Sequence, residues 1–339
     1  MEKQKRIKSL PITDYSGYSP KLSAVGRLKN NHYRLVTDIA ITGDAPKDFL
    51  RIYEYGNCRK NNLKTWPLYL AKLCHKHYPI ESITEYLLNK IGEYWGFDMA
   101  SSKLYFIGEQ IRFFSKYFLK NPDYQKLEHG AELYAGYLND RIFVEEIEKK
   151  NQARDFFTVN FTKEVIRHFY PQNFETIYNK FLELLLFDAL IGNNDRHFYN
   201  WGVISDLNGI KDPYFSPFYD TARALFWNYH EETILNIFKD KNRRELEIRK
   251  YSDKSFPKIG WESERNLNHF KLMEKIALNK EFNDIERLDY VFSGLTFNNV
   301  LNQIEKDFSK ILSSERINLI LCCLSYRFKV LRKIFNFAP

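Results

Sequence analysis

Of the 339 residues only 14 are glycine, 11 proline, 4 cysteine and 3 methionine. With so little glycine and proline, and no internal repeat or low-complexity tract, the chain is neither collagen-like nor linker-rich, and any division falls between packed lobes. Cys58, Cys74, Cys322 and Cys323 show no metal-ligand spacing, and the adjacent Cys322 and Cys323 lie in an apolar helical pattern, as expected of small buried thiols. No apolar run approaches the ~20 residues of a membrane span. The longest, Ile317 to Leu324, continues at helical spacing through Phe328 and Leu331 as a core-facing stripe. Met1 to Arg6 lead into no apolar segment, so no secretory signal is expected; a cytoplasmic location without a membrane partner is.

What is abundant is aromatic: 28 Phe and 23 Tyr in a composition that is 44% hydrophobic, enough for a large core and too much for a disordered chain. The net charge of +8 comes from 51 basic and 43 acidic residues. The excess is dispersed over small clusters at Lys3 to Lys8, Lys241 to Arg244 and Arg327 to Lys333, which reads as solvated faces with some attraction for anions. A nucleic-acid surface would need a tight basic stripe with interleaved aromatics, so direct nucleic-acid binding is not expected.

Along the chain, short extended candidates at Tyr33 to Ile41, Phe49 to Tyr55 and Leu68 to Leu73 are broken by turns at Gly43-Asp44 and Gly56-Asn57. An amphipathic helix follows over Ser82 to Trp95, with Glu81 at its start suiting the helix dipole. Leu104 to Phe118 reads as one or two strands plus a crossover. From about Ala131 helical patterns dominate: Ala131 to Leu138, Phe143 to Lys150, Asn173 to Ile191, Leu267 to Asn279 and Ser314 to Phe335. The expectation is an α+β, bilobal fold, a β-rich N-lobe over residues 1–118 and a helical C-lobe over 119–339.

The helix ending at Ile191 is apolar nearly all round and should be buried, stopping at Gly192 to deliver Asn193-Asn194-Asp195-Arg196-His197 and Asn200. Asp220 follows the extended segment Phe215-Ser-Pro-Phe-Tyr. Phosphoryl transfer needs an Asp beside the incoming hydroxyl, an Asn five residues later for metal, and a second metal-binding Asp. Asp195, Asn200 and Asp220 have that order and spacing. Taken alone, the loop could be a turn in which Asn194 and Asp195 bond local backbone, and Asp220 a helix N-cap. A zinc reading of His197, or of His75 and His77, lacks the three or four converging ligands zinc requires. Lys72 ends the apolar stretch Leu68 to Ala71, and Glu81 and Glu85 lie on one face near the start of the next helix, each able to pair with it.

Leu190-Ile-Gly-Asn-Asn-Asp-Arg-His-Phe-Tyr-Asn200 and Ser216-Pro-Phe-Tyr-Asp220 resemble the catalytic-loop and metal-binding motifs of the HipA-like serine/threonine kinases, the toxin kinases of bacterial toxin–antitoxin systems. The resemblance implies a protein-kinase-like fold in a compact form, and a cytoplasmic enzyme using ATP and Mg2+ on a protein Ser or Thr. Asp195 is then the catalytic Asp, with Asn193 and His197 in the same motif, and Asn200 and Asp220 bind Mg2+. By the same resemblance Lys72 is the ATP lysine and Glu85 its helix acid, ahead of Glu81. Ile111-Arg-Phe113 is the hinge that meets adenine through backbone groups. Ser16-Gly17-Tyr-Ser19-Pro-Lys21 is the phosphate loop, with a regulatory autophosphorylated serine at Ser16 or Ser19. A translation-related substrate and a separate antitoxin are the implied partners, and operator binding would require that antitoxin. The alternatives are a non-catalytic kinase-fold binding module and a lipid kinase; a polybasic membrane-facing helix, which the latter would favour, is lacking.

Overall fold

The structure, a computed structural model, describes residues 6–37, 45–120 and 124–337; the turn expected at Gly43-Asp44 lies outside them. The N-terminal part is a sheet of β1 (Gly26–Arg27), β2 (Tyr33–Val36), β3 (Lys47–Ile52) and β4 (Leu68–Lys72), followed by helix α1 (Ile80–Tyr94), then β5 (Ser102–Ile107) and β6 (Gln110–Lys116). Six strands are hydrogen-bonded in the order β1-β5-β6-β4-β3-β2, and only the β1–β5 pair is parallel. The two faces follow the strand period: Leu50, Ile52, Tyr69, Ala71 and Phe114 close one cluster, while Leu104 and Ile111 face α1. In the ladder Lys72 stands opposite Lys47 on one side and Phe113 on the other.

The β5–β6 connection corrects one expectation. No crossover separates the two strands; Gly108 and Glu109, both at positive φ, make a tight two-residue turn, the conformation that matches hairpin twist. Ile111 and Phe113 therefore lie inside a central strand. Phe113 is laddered to Leu104 and to Lys72, and the Ile111 N–H donates to the Tyr78 hydroxyl at 3.0 Å. Both are buried inside the sheet, at 1% and 5% exposure. The chain leaves the sheet one strand-end later: the Tyr117 N–H donates to Leu68 O, and Phe118 packs on Tyr219 at 5.4 Å.

Beyond this crossing come β7 (Gln125–His129), α2 (Gly130–Leu138), α3 (Arg141–Lys149), α4 (Ala153–Phe156), α5 (Val159–Phe169) and α6 (Phe174–Ile191). Strands β8 (Gly202–Asp206) and β9 (Tyr214–Phe215) join β7 in a small antiparallel sheet. The helices α7 (Glu231–Phe238), α8 (Lys241–Asp253), α9 (His269–Leu278), α10 (Ile285–Phe292), α11 (Gly294–Phe308) and α12 (Ser314–Ile334) complete the chain. As its all-round apolar sequence demands, α6 is buried along nearly its whole length. The stripe on α12 is buried at Ile317, Ile320, Leu324, Phe328 and Leu331. Cys323 is buried as expected but Cys322 is exposed. Helix α1 packs against α11, and the Trp95 indole N–H donates to Val291 O at 3.0 Å, so one apolar core runs from α1 into the helical part. No helix among the described residues is long and apolar enough to cross a membrane.

Candidate active site

Lys72 closes β4 with its side chain only 14% exposed, aimed between the sheet and the helical part. Its ammonium donates to Glu85 Oε1 at 3.0 Å and to Asp220 Oδ1 at 2.7 Å. The other Glu85 oxygen accepts from the Cys74 thiol at 2.9 Å. Glu81 is engaged elsewhere, accepting from the Lys76 and His77 backbone N–H groups and so fastening the loop ahead of α1. Of the two helix acids, Glu85 is the one that holds Lys72. Burial alone would lower the Lys72 pKa, but Asp220 and then Glu85 raise it well above the ordinary lysine value. Burial likewise pushes Asp220 up, and Lys72, with help from Lys47 and His197, more than reverses this and holds the carboxyl well below the usual range. Glu85 is raised, chiefly by burial.

Asp220 is not a helix N-cap. It sits at φ +51°, left-handed, and no helix begins there. Leu225 and Phe226 also have positive φ, which is rare for such side chains and marks the segment 220–226 as strained. Tyr219 ahead of it is held by the His129 ring at 2.8 Å and by its own donation to Tyr199 O.

The second half of the site is the loop that α6 delivers. Gly192 ends the helix at φ +75°, with its N–H donating to Asp188 O at 2.8 Å. Asp195 lies three residues on, its carboxylate 20% exposed and accepting from Arg223 Nη1 at 3.1 Å. Asn200 donates its amide to Asp195 O at 2.9 Å, and the His197 N–H donates to the same carbonyl. Asn193 is fully buried. It donates to Asp188 Oδ1 and accepts the Asp195 N–H, so it positions the loop and does not face a ligand. Asn194, half-buried, accepts from the distant Phe256 N–H, which ties the loop down and is not a local turn bond.

Arg196 and its partner Asp188 had no role assigned from sequence. The buried Arg196 guanidinium grips Asp188 at 2.9 and 3.2 Å and donates to Asn200 O, Tyr219 O and Thr221 Oγ1 at 2.7, 2.6 and 2.8 Å. One side chain thus ties the end of α6, the Asp195–Asn200 loop and the Asp220 segment together. The sequence signal, an Asp and an Arg flanking a Gly-Asn loop, is too general to reveal that geometry.

The oxygens left over suit Mg2+, a hard cation that keeps few protein ligands and takes the rest from water and phosphate. Asn200 Oδ1 and Asp220 Oδ2 have no hydrogen-bond partner among the described residues. Those residues hold no cluster of three or more His, Cys, Asp or Glu fit for a metal.

Ser16, Gly17, Ser19 and Lys21 are not brought to this cluster. Ser16 is buried, its hydroxyl donating to Asp14 Oδ1 at 2.8 Å and its carbonyl accepting from the Glu231 N–H at the start of α7. Gly17, at φ +64°, is pressed so closely on His230 that a Cβ would stand 2.2 Å from the ring. Tyr18 donates to Ile311 O, while Ser19 and Lys21 are exposed. No hydrogen bond or ion pair among the described residues joins this segment to Lys72, Asp195, Asn200 or Asp220.

His269 supports the loop from below, its Nε2–H donating to Asn193 O at 2.8 Å. Burial, aided by the Arg327 charge, lowers its pKa from 6.5 to about 3. The unfolded chain then takes up a proton between these values and the folded chain does not, so stability falls as pH drops through that window. From pH 7 to pH 5 the natural protein is expected to lose about 2 kcal/mol more unfolding free energy than His269→Gln. Urea titrations at the two pH values check this; parallel losses would refute it.

The sequence profile of the HipA-like C-terminal domain matches residues 15–285. Among solved structures, the proinflammatory kinase CtkA of Helicobacter pylori matches with 14% identity over 88% of this chain and 94% of its own, at a TM-score of 0.66, which shows a common fold. The complex of HipA and HipB with operator DNA from the Shewanella oneidensis MR-1 toxin–antitoxin system matches at 10% identity over 92% of this chain and 74% of the matched one, at a TM-score of 0.49. No curated protein sequence matches.

Proposed function

The chain belongs to the HipA-like C-terminal domain family, and from that premise we propose that it is an ATP- and Mg2+-dependent serine/threonine protein kinase. The observation that carries this reading is the convergence of Lys72, Glu85 and Asp220 in one hydrogen-bonded cluster, with Asp195 and Asn200 tied to it through Arg196. Phosphoryl transfer asks for little covalent chemistry from the protein; positioning and charge do the catalysis. Bound Mg2+ would supply neutralisation of phosphate charge, held through Asn200 Oδ1 and the Asp220 carboxylate. Lys72, anchored by Glu85, would turn its ammonium from Asp220 to the nucleotide phosphates. Asp195 would accept the proton of a Ser or Thr hydroxyl, its orientation fixed by Arg223 and by the Asn193 bond to its backbone. The backbone at 117–120, where the chain leaves the sheet, is our choice for the adenine contact in place of Ile111 and Phe113. Ser16, Gly17, Ser19 and Lys21 belong to the same proposal as phosphate-side contacts and require the loop to leave His230 and Glu231. By the family reading the protein is a growth-arresting toxin kinase of a toxin–antitoxin pair, located in the cytoplasm, that acts on a translation-related protein.

Calorimetry and transfer from γ-labelled ATP test this together. ATP is expected to bind at least tenfold more tightly with Mg2+ than with EDTA, and Asp220→Asn to abolish that difference. Transfer to protein Ser or Thr, including any phosphate within residues 14–24 found by mass analysis, is expected only with Mg2+. Binding without transfer under every condition would identify a non-catalytic module instead, and label appearing in inositol lipid but not protein would identify a lipid kinase.

A further inference from the structure

Arg327, on α12, belongs by sequence to a solvated basic cluster, yet it is completely buried. Its Nε donates to Ala189 O at 2.8 Å; Nη1 and Nη2 are buried and make no hydrogen bond. No carboxylate among the described residues is ion-paired with it. Arg316, three turns earlier on the same helix and equally buried, shows the ordinary solution: its guanidinium meets Glu231, Phe226 O and Tyr229 O. A buried cation without a counter-charge is among the costlier arrangements a core can hold.

The neighbours of Arg327 share its condition. Tyr251, Ser252 and Ser255, at the end of α8 and just beyond it, carry buried hydroxyls with no well-formed hydrogen bond among the described residues; Ser252 has only the weak Cys323 thiol beside it and Tyr251 only the backbone of Leu225 and Phe226. Ser255 Oγ and the Arg327 guanidinium flank Gly192, where an added Cβ would stand 3.1 and 3.0 Å from them. Ser252 lies beside the Cys323 thiol, one turn before Arg327, and the charge of Arg327 is felt at Tyr251, Cys323 and His269. Of these facing groups, burial pushes the Cys323 thiol up to about 11 and the Tyr251 hydroxyl up as well, while His269 is held neutral, so all three are uncharged at pH 7. Phe270 covers the guanidinium at 4.9 Å. The result is a buried group of hydroxyl donors around the Arg327 guanidinium, with no ion-paired carboxylate among the described residues and Asp253 acting on it only as the weakest of the neighbouring charges.

We propose that this cluster binds a small monovalent anion of the halide class, chloride under ordinary salt conditions, ligated by Arg327 with the hydroxyls of Tyr251, Ser252 and Ser255. Water would satisfy hydrogen bonds but leave the charge uncompensated. A phosphate dianion would leave net negative charge in the core, and the closeness of Gly192 to both Arg327 and Ser255 restricts the space. The site lies directly beneath Gly192 and Asn193, so the anion braces the loop that carries Asp195. This inference does not depend on phosphoryl transfer.

The test uses the full chain dialysed into gluconate and returned to chloride at constant ionic strength. The thermal midpoint is expected to rise and saturate with chloride, and with bromide, but not with gluconate. The 35Cl resonance should broaden with the natural protein and not with Arg327→Met. Because Arg327→Met could fail to fold, Ser255→Ala, which removes one donor to a charged ligand, provides the second readout: its chloride half-saturation should rise about tenfold. Equal midpoints in chloride and gluconate, an unbroadened 35Cl line, or an unchanged half-saturation in Ser255→Ala would each overturn the proposal and leave a hydrated pocket.

Discussion

Asp195→Asn is expected to lower phosphoryl transfer by roughly two to four orders of magnitude, the usual range for removing a positioned proton acceptor. It should leave the thermal midpoint almost unchanged. The side chain is partly exposed and its ion-pair partner among the described residues, Arg223, is itself 35% exposed, so the ion pair contributes little to stability. The Asp195 backbone, which carries the loop bonds to Asn193, His197 and Asn200, is untouched by the substitution. ATP binding should change far less than turnover, because among the described residues Lys72 pairs with Glu85 and Asp220 while the Asp195 side chain pairs with Arg223. Single-turnover transfer of labelled γ-phosphate, beside calorimetry on the same preparation, gives the comparison. Near-natural transfer would remove Asp195 from the chemistry, and a large loss of ATP affinity would recast it as a binding residue.

Arg196→Gln should do the opposite, destabilising the whole protein by about 3–5 kcal/mol, as expected when one partner of a buried ion pair is removed. Asp188 is 1% exposed and would be left as a buried carboxyl with Asn193 as its side-chain donor among the described residues. Burial already raises its pKa in spite of Arg196, so without Arg196 it would be protonated at higher pH still. The double variant Asp188→Asn/Arg196→Gln should be less destabilised than the two single losses added together, by about 0.5–3 kcal/mol. Urea unfolding of the four proteins closes the cycle. Simple additivity would show that Arg196 acts through its carbonyl bonds to Asn200 and Tyr219 and not through Asp188.

Much of this architecture was legible in the sequence because it follows local rules. The all-round apolar character of α6 predicted its burial, and Gly192 its left-handed end. Arg196 bonds the backbones of Asn200 and Tyr219, next to Asp220, and Lys72 ends a strand ahead of a helix as its apolar flank suggested, while the choice of Glu85 over Glu81 came only from the family resemblance. What stayed hidden depends on partners distant in sequence. The crossover expected within Leu104 to Phe118 is a tight hairpin because an aromatic, β-branched stretch does not say where it turns, and Gly108-Glu109 gives little signal of its own. Helix α8 escaped notice because Ile248 and Ser252 are its only buried residues, too few to make a stripe. Arg196, Arg223 and Arg327 look alike in composition, yet one is a buried hub, one a half-exposed partner of Asp195 and one a cation in the core. Only the fold distinguishes them.

The bond between Lys72 and Asp220 has a mechanical meaning as well as an electrostatic one. It joins the sheet to a segment of the helical part 148 positions away, so it works as a latch across the cleft. On the proposed reading, ligand entry would be an exchange of latches, in which a phosphate–metal bridge takes the place of the lysine–carboxylate bridge. High Mg2+ and low nucleotide would open the latch from one side only, by competing for Asp220 while stranding the Lys72 charge. Nucleotide and metal arriving together replace both halves at once, and on that account the cleft should respond to the pair cooperatively and only weakly to either alone.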